Sequence, residues 1–315
     1  MIDAYAHIGM PRFQTADGYR GLMAELGIRK ALVCPFDACP DLYRVHAALA
    51  DGTGNFRGLG LVLGRDRAEK EAGLRAQLDA GFCGLRLGVH EILADPWVLD
   101  WLGERQALPF VTGENGLAGA AKLLIEHLER FPASHVIGGH FAGPTETGVL
   151  MAAGPVRQLF HHPRFSVVFS RQGIFPKATI EGWADALVEI LGWDRILWAT
   201  EAPVLIWRDE KVLETPNWIE RYPLSPAERE AFFTGNSQRL IFDLPQAEPK
   251  PLTLPFDPFA FDPDRRVPMW PFGLSMSTKL PGRLVEGWRQ WGGEARGPLS
   301  HYLDEVLDRA LPRFE

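Results

Sequence analysis

A (β/α)8 barrel is the fold class this sequence predicts, on three observations. Short apolar runs rich in Val, Ile, Leu and Phe alternate with longer segments of helical periodicity, the pattern of successive βαβ units on a parallel sheet. There are eight such runs. The connections between them are short, which favours a sheet closed on itself over an open, doubly wound one.

The expected strands are residues 2–7, 30–36, 56–63, 82–89, 108–113, 135–140, 165–170 and 195–201. Among the amphipathic segments between them, 67–80, 117–130, 177–191 and 225–241 read as helices. The last opens with Ser225 as cap, Pro226 at the first helical position and Glu228 three residues beyond the cap. That is a capping box, in which two otherwise orphaned backbone donors are satisfied reciprocally.

Beyond the eighth run the pattern changes. Residues 245–281 are crowded with Pro, Asp and aromatic residues and cannot continue as a helix, since proline removes donors and fixes φ. An extended arm over the barrel surface is expected, with Phe256, Phe259, Phe261, Trp270 and Phe272 requiring apolar cover. Two helical segments, 283–291 and 298–311, follow it. The chain thus divides into a barrel, 1–244, and a C-terminal extension, 245–315, packed on the barrel or on a dimer partner, so a homo-oligomer joined through the arm is expected. Residues 203–223 form a long loop at the catalytic face, either a lid or a surface loop anchored by Trp207 and Trp218.

Composition bounds the function. With 46% hydrophobic and 23% charged residues over 315 positions, the chain can bury a sizeable core. Its net charge of −7, from 40 acidic and 33 scattered basic residues, offers no footprint for a phosphate backbone, so nucleic acid is not an expected partner. The opening MIDAYAHIGMPRF lacks a basic n-region followed by an apolar run, and no long apolar stretch follows, so a cytoplasmic protein without membrane partner is expected. Cys34, Cys39 and Cys83 have no CxxC spacing and read as buried thiols. There is no GxSxG elbow and no GxxxxGK[ST], and Gly58 and Gly60 lie inside a strand, which disfavours nucleotide binding.

In a barrel, side chains at the C-terminal strand ends converge on one mouth, so polar residues there need a reason. They are Tyr5 and His7 on the first strand, Arg86 on the fourth and Thr112-Gly113-Glu114-Asn115 at the end of the fifth. The sixth delivers His140, the seventh Ser170-Arg171 and the eighth Thr200-Glu201. His90 and Glu91 follow the fourth strand near the mouth, and His161-His162 reads as a helix-end pair.

The set resembles the amidohydrolase superfamily, in the branch that holds pyrone-dicarboxylate lactonase and the metal-dependent aromatic-acid decarboxylases. Asp3-Ala4-Tyr5-Ala6-His7 stands against a first-strand D-x-H-x-H, and His140-Phe141-Ala142-Gly143 against a sixth-strand H-x-G. Trp198-Ala199-Thr200-Glu201-Ala202-Pro203 stands against W-G-T-D-x-P, and Gly235-Asn236-Ser237-Gln238-Arg239-Leu240-Ile241-Phe242 against a final-helix G-N-A-x-R-L-F. The resemblance covers residues 1–244. It implies a zinc site built from both first-strand histidines, a fifth-strand histidine and the eighth-strand aspartate. Here Tyr5, Gly113 and Glu201 stand at three of these positions, leaving His7, His140 and Glu201 as donors for a divalent zinc or manganese ion.

Lactonases of the branch work without a metal, and the resemblance implies the same roles here. Glu201 activates water, His7 and His140 orient it or polarise the carbonyl, and Tyr5 donates a hydrogen bond. Arg86 and Arg171 hold a substrate carboxylate, and Glu114 with Asn115 stands in for the lost fifth-strand residue. The expected activity is hydrolysis of a small, anionic, carboxylated lactone or ester. Two alternatives stand beside it: a metal-dependent decarboxylase or hydrolase with a rebuilt site, and a catalytically degenerate barrel acting as a binding protein.

Overall fold

A computed structural model describes residues 1–10, 12–37, 39–113, 116–170, 175–204, 212–246, 248–258, 266–268, 279–293, 296, 301–303 and 305–306. Eight strands follow one another in spatial as in sequence order: β1 (Ile2–His7), β2 (Lys30–Cys34), β3 (Phe56–Gly60), β4 (Gly84–Gly88), β5 (Leu108–Thr112), β6 (Val136–Gly138), β7 (Phe165–Phe169) and β8 (Ile196–Trp198). All seven successive pairings are parallel. The two ends meet where His7 N donates to Ala202 O and Glu201 N donates to Tyr5 O, each at 2.8 Å. The sheet is therefore a barrel, as the alternation of runs requires.

The helices are α1 (Ala16–Leu26), α2 (Leu42–Leu49), α3 (Arg67–Asp79), α4 (Val89–Ala94), α5 (Trp97–Glu104), α6 (Ala121–Arg130), α7 (Gly148–Met151), α8 (Pro155–His161), α9 (Lys177–Leu191) and α10 (Pro226–Glu230). Caps explain several starts: Thr15, Asp66 and Ser225 each accept a backbone N–H from three residues on, and Ser225 with Glu228 completes the expected capping box. From α10 the helix runs on through two π-helical segments, Ala231–Gly235 and Gln238–Phe242. Among the described residues no helix is long and apolar enough to cross a membrane.

Several strands are shorter than the apolar runs suggest, mainly at their C-terminal ends. The runs to His140 and Glu201 keep their burial and that to Phe36 keeps it as far as Pro35, but the ladder stops at Cys34, Gly138 and Trp198. Apolar continuity reports burial, whereas a strand also needs an extended backbone. His140 and Glu201 have φ of 54° and 52°, in the left-handed region that no strand can contain. The segment 117–120, expected as helix, is a turn, and α6 starts at Ala121.

β1 carries a bulge. It pairs Asp3 with Ala31 and Ala6 with Val33, so three steps on β1 match two on β2. Strict alternation would place Asp3 and Tyr5 on one face. The extra residue separates them: Asp3 reaches Tyr19 of α1, while Tyr5 joins the barrel-interior cluster and stacks on Phe110 of β5 at 4.7 Å.

Asp3 is fully buried and closes the barrel. Its carboxylate accepts from Tyr5 N (3.0 Å), Tyr19 Oη (2.7 Å), Thr200 N (3.0 Å) and Thr200 Oγ1, tying β1 to α1 and to the residues after β8. A buried charge needs this many donors to be tolerated.

The described start of the extension lies against the barrel. Lys250 N donates to Asp79 O (3.2 Å), His46 Nε2 lies 2.8 Å from Lys250 O, and Leu252 and Leu254 join the main core. A short antiparallel pair not foreseen from sequence, β9 (Arg266–Pro268) with β10 (Lys279–Pro281), precedes α11 (Gly282–Trp291). Trp288 of α11 is buried against Cys39, beside Phe36 and Met10, at the edge of the barrel mouth. Phe259, Phe261, Trp270, Phe272 and most of the second expected C-terminal helix lie outside the described residues. In the 203–223 loop, Ile219 is buried and Trp218 packs edge-on against Phe141 (5.3 Å) and Phe169 (5.8 Å), while Trp207 lies outside the described residues.

Burial raises the Asp3 carboxyl from its ordinary 3.8 to about 6, against the pull of its donors. A proton held more tightly in the fold than in the unfolded chain stabilises the fold below about pH 4, and that contribution is lost as pH rises through about 6. In urea unfolding, the stability of the protein relative to Asp3→Asn should fall by roughly 2–3 kcal/mol between pH 4 and 7. A difference that stays flat or grows with pH would contradict this account.

Candidate functional site

The mouth of the barrel gathers the expected residues from separate strands. The Tyr5 ring lies 4.8 Å from that of His7 and 5.2 Å from that of His140, centroid to centroid, both edge-on. His140 Nδ1 lies 3.6 Å from Glu201 Oε2 and 3.2 Å from Ser170 Oγ. His7, His140 and Glu201 are 3%, 2% and 2% exposed, so whatever they do takes place away from bulk water. Arg86 Nε donates to Tyr5 Oη at 2.9 Å. Glu114, Asn115 and Arg171 lie outside the described residues.

The strand ends are bent to make this arrangement. His140, Phe141 and Ala142 have φ of 54°, 56° and 57°, three successive non-glycine residues in the left-handed region. Each costs of order 1–3 kcal/mol and persists only where its surroundings over-determine it. Here Trp183 Nε1 donates to Phe141 O at 2.8 Å, Phe141 stacks on Phe169 at 4.2 Å, and Gly143 N donates to His140 O at 2.9 Å. Glu201 is turned in the same way and locked through its backbone to Tyr5. Strain of this kind concentrates where side-chain direction matters more than backbone comfort.

Beside the cluster lies a cleft of about 510 Å³ walled by Asp37, Arg86, His90, Thr112 and His140, with Phe36, Val89 and Leu93 as its apolar side. Arg86, His90, Thr112 and His140, all expected at the mouth, thus lie on the cleft wall, and Tyr5 stands behind Arg86. The His7 ring stacks on Phe13 at 4.4 Å, and its Nδ1 lies 3.3 Å from Cys34 O and 3.4 Å from Cys34 Sγ. Burial pushes the Cys34 thiol up to about 12, so it is a neutral neighbour rather than a nucleophile.

Three residues matter more than their sequence positions suggested. Asp3, an acid within an apolar strand, signals a paired buried charge by its position alone. Asp37 follows β2 at the mouth, where the same criterion that selected Arg86 would find it. Cys34 had no signal that set it apart from the other two thiols.

A divalent metal needs three protein donors in tight geometry. Tyr5 keeps its proton, since burial raises its pKa well above the ordinary value, and its oxygen already accepts from a guanidinium, which repels a dication. At Gly113 a Cβ would lie 2.6 Å from Gly116 O and 3.1 Å from Val89 Cγ2, so the backbone fills the place of a fifth-strand ligand. Among the described residues no three His, Cys, Asp or Glu groups come together in a way that could hold a metal. These residues do not fit the zinc site that the sequence resemblance implies.

The amidohydrolase family model matches residues 4–242, and the chain belongs to that family. A Pseudomonas putida protein provisionally assigned as 2-pyrone-4,6-dicarboxylic acid hydrolase shares 19% identity over 78% of this chain and 98% of its own, with a TM-score of 0.60. A Burkholderia multivorans amidohydrolase with bound zinc shares 17% over 78% and 99%, TM-score 0.59. A dihydroxybenzoic acid decarboxylase from Polaromonas with bound manganese and an inhibitor shares 17% over 78% and 97%, TM-score 0.52. At these identities the likeness is one of fold. A comparison with curated protein sequences found no match.

Gly113→Ala should lower stability by about 1–3 kcal/mol through overpacking against the Gly116 carbonyl, readable as a drop in Tm. An unchanged Tm would mean that the loop yields and the position is open to a ligand.

Proposed function

We propose that the protein is a hydrolase of small carboxylated lactones or esters that works without a resident metal. The observation that carries this reading is the pair of His140 and Glu201, 3.6 Å apart and both almost wholly buried, beside a cleft that presents Arg86.

Glu201 draws a proton from water through His140, the member of the pair on the cleft wall, and so makes the water nucleophilic. Separations slightly beyond hydrogen-bond length are usual before substrate binds and tighten in the complex. Arg86 holds a substrate carboxylate or the oxyanion that forms as water adds, with a planar fork of donors suited to either. Tyr5 fixes the Arg86 side chain by accepting from Nε, and His7 packs behind it.

The relatives support the class and leave the reaction open, since they include a protein assigned to pyrone hydrolysis and a decarboxylase. The donor chemistry around Tyr5 and Gly113 favours the metal-free hydrolase over a rebuilt metal centre.

On a panel of carboxylated lactones and esters, Glu201→Gln should lower kcat by roughly 10²–10⁴-fold, and protein treated with a chelator should keep its rate. Retention of one equivalent of zinc or manganese whose removal abolishes turnover would overturn the proposal, as would a fully active Glu201→Gln variant.

A further inference from the structure

The match to the amidohydrolase family ends at residue 242, and α11 lies beyond it. That helix nevertheless sends a side chain to the edge of the mouth. Trp288 is 2% exposed and packs with Cys39, Met10 and Phe36. Phe36 and Cys39 follow β2 and are tied to each other, since Cys39 N donates to Phe36 O at 2.9 Å and the two residues bridge. Asp41 pins the far end of this stretch, its Oδ2 accepting from Met10 N at 2.9 Å. The indole therefore rests on a short piece of chain that is fixed at both ends.

Phe36 is where this cluster meets the cleft. Its ring lines the cleft, and the guanidinium carbons of Arg12 and Arg86 lie 5.7 and 5.8 Å from its centre, within the range of cation–π attraction. It also meets Phe13 edge-on at 6.1 Å, and Phe13 stacks on His7 at 4.4 Å. One ring thus faces the arginine of the cleft and the support of His7. Side chains settle in the rotamer that packing leaves open, so space vacated by a smaller residue at position 288 lets the ring turn out of the cleft wall.

We infer that Trp288 is a positioning residue of the cleft: packed against Phe36 and Cys39, it holds the Phe36 ring in the wall beside Arg86. A helix outside the matched barrel then sets how the apolar part of a carboxylated substrate is received. Contact with that apolar part belongs to Phe36, and contact with the carboxylate belongs to Arg86. The inference rests on the proposed reading of this cleft as the substrate site, whereas the reactivity of the Cys39 thiol tests the packing without it.

Two measurements on the full chain check it. Cys39 is 1% exposed, and its alkylation by iodoacetamide, located by peptide mass, should be at least about tenfold faster in Trp288→Ala than in the wild type, with Trp288→Phe close to wild type. In calorimetric titration with 3-phenylpropanoate, Trp288→Ala should raise Kd roughly two- to tenfold, the worth of one aromatic contact, with the number of sites unchanged. Trp288→Phe should restore most of the affinity, and Trp288→Leu, which keeps apolar bulk, repeats the test should the alanine variant fold poorly. In a Phe36→Ala background the same substitutions should leave Kd unchanged, because the ring through which Trp288 acts is gone. A role in stability alone gives fewer competent sites at the wild-type Kd. That outcome overturns the inference, as does unaltered alkylation of Cys39, or an equal loss of affinity with and without Phe36. No binding of 3-phenylpropanoate by the wild type strikes the reading of the cleft and this inference together, whereas binding by wild type and Trp288→Ala with one Kd strikes this inference alone.

Discussion

The carboxylate of Asp3 accepts four hydrogen bonds at the seam where the first strand meets the end of the eighth, and the geometry of the mouth hangs on that seam. Two of the donors belong to Thr200, the residue before Glu201, and a third is the amide of Tyr5. Fixing Asp3 therefore fixes the backbone of both residues. The closing pair is also joined by backbone hydrogen bonds from His7 N to Ala202 O and from Glu201 N to Tyr5 O. The buried anion allows one register only, because any other leaves its charge or its donors without partners.

From that seam outward, each feature of the mouth is forced by the one beneath it. The bulge in β1 sends Asp3 to the helical shell and Tyr5 to the interior. Tyr5, stacked on Phe110, presents its hydroxyl to Arg86. The left-handed turns at His140 and Glu201 then bring an imidazole and a carboxylate together on the far side of Tyr5. Arginine differs from a metal ion in one decisive way: it stabilises negative charge without lowering the pKa of a bound water, so activation of water must come from a protein base. That requirement is what makes the buried His140–Glu201 pair the centre of the proposed chemistry.

Much of this was legible in the residues themselves. The barrel, the order of its strands and the polar residues at their ends all followed from period and position, and Tyr5, His7, Arg86, His140 and Glu201 do lie together. What escaped was of one kind. Strand length was overestimated where an apolar run leaves the extended region, as at His140 and Glu201, because hydrophobicity reports burial and is blind to φ. Asp3 was read only as part of a motif; its position in an apolar strand implied partners, but which they are, from three segments of the chain, shows only in the fold. Asp37 escaped because it stands one residue past the expected run 30–36, although the criterion of a polar residue at a strand end applies to it.

The sequence by itself determined that eight strands would alternate with helices and that a small set of polar side chains would sit at one end of them. It also determined that Tyr5, Gly113 and Glu201 stand at the three positions where the resembled motifs carry other residues. These are matters of local pattern, which hydrophobic period and residue type encode directly. Only the tertiary structure decided that the backbone of Gly116 fills the place beside Gly113, that Tyr5 accepts from Arg86, and that Asp37 stands 4.0 Å from that same guanidinium. Such relations depend on how closure of the sheet sets distances between residues far apart in the chain. A bulge of one residue is enough to change them while leaving the pattern of the sequence almost untouched.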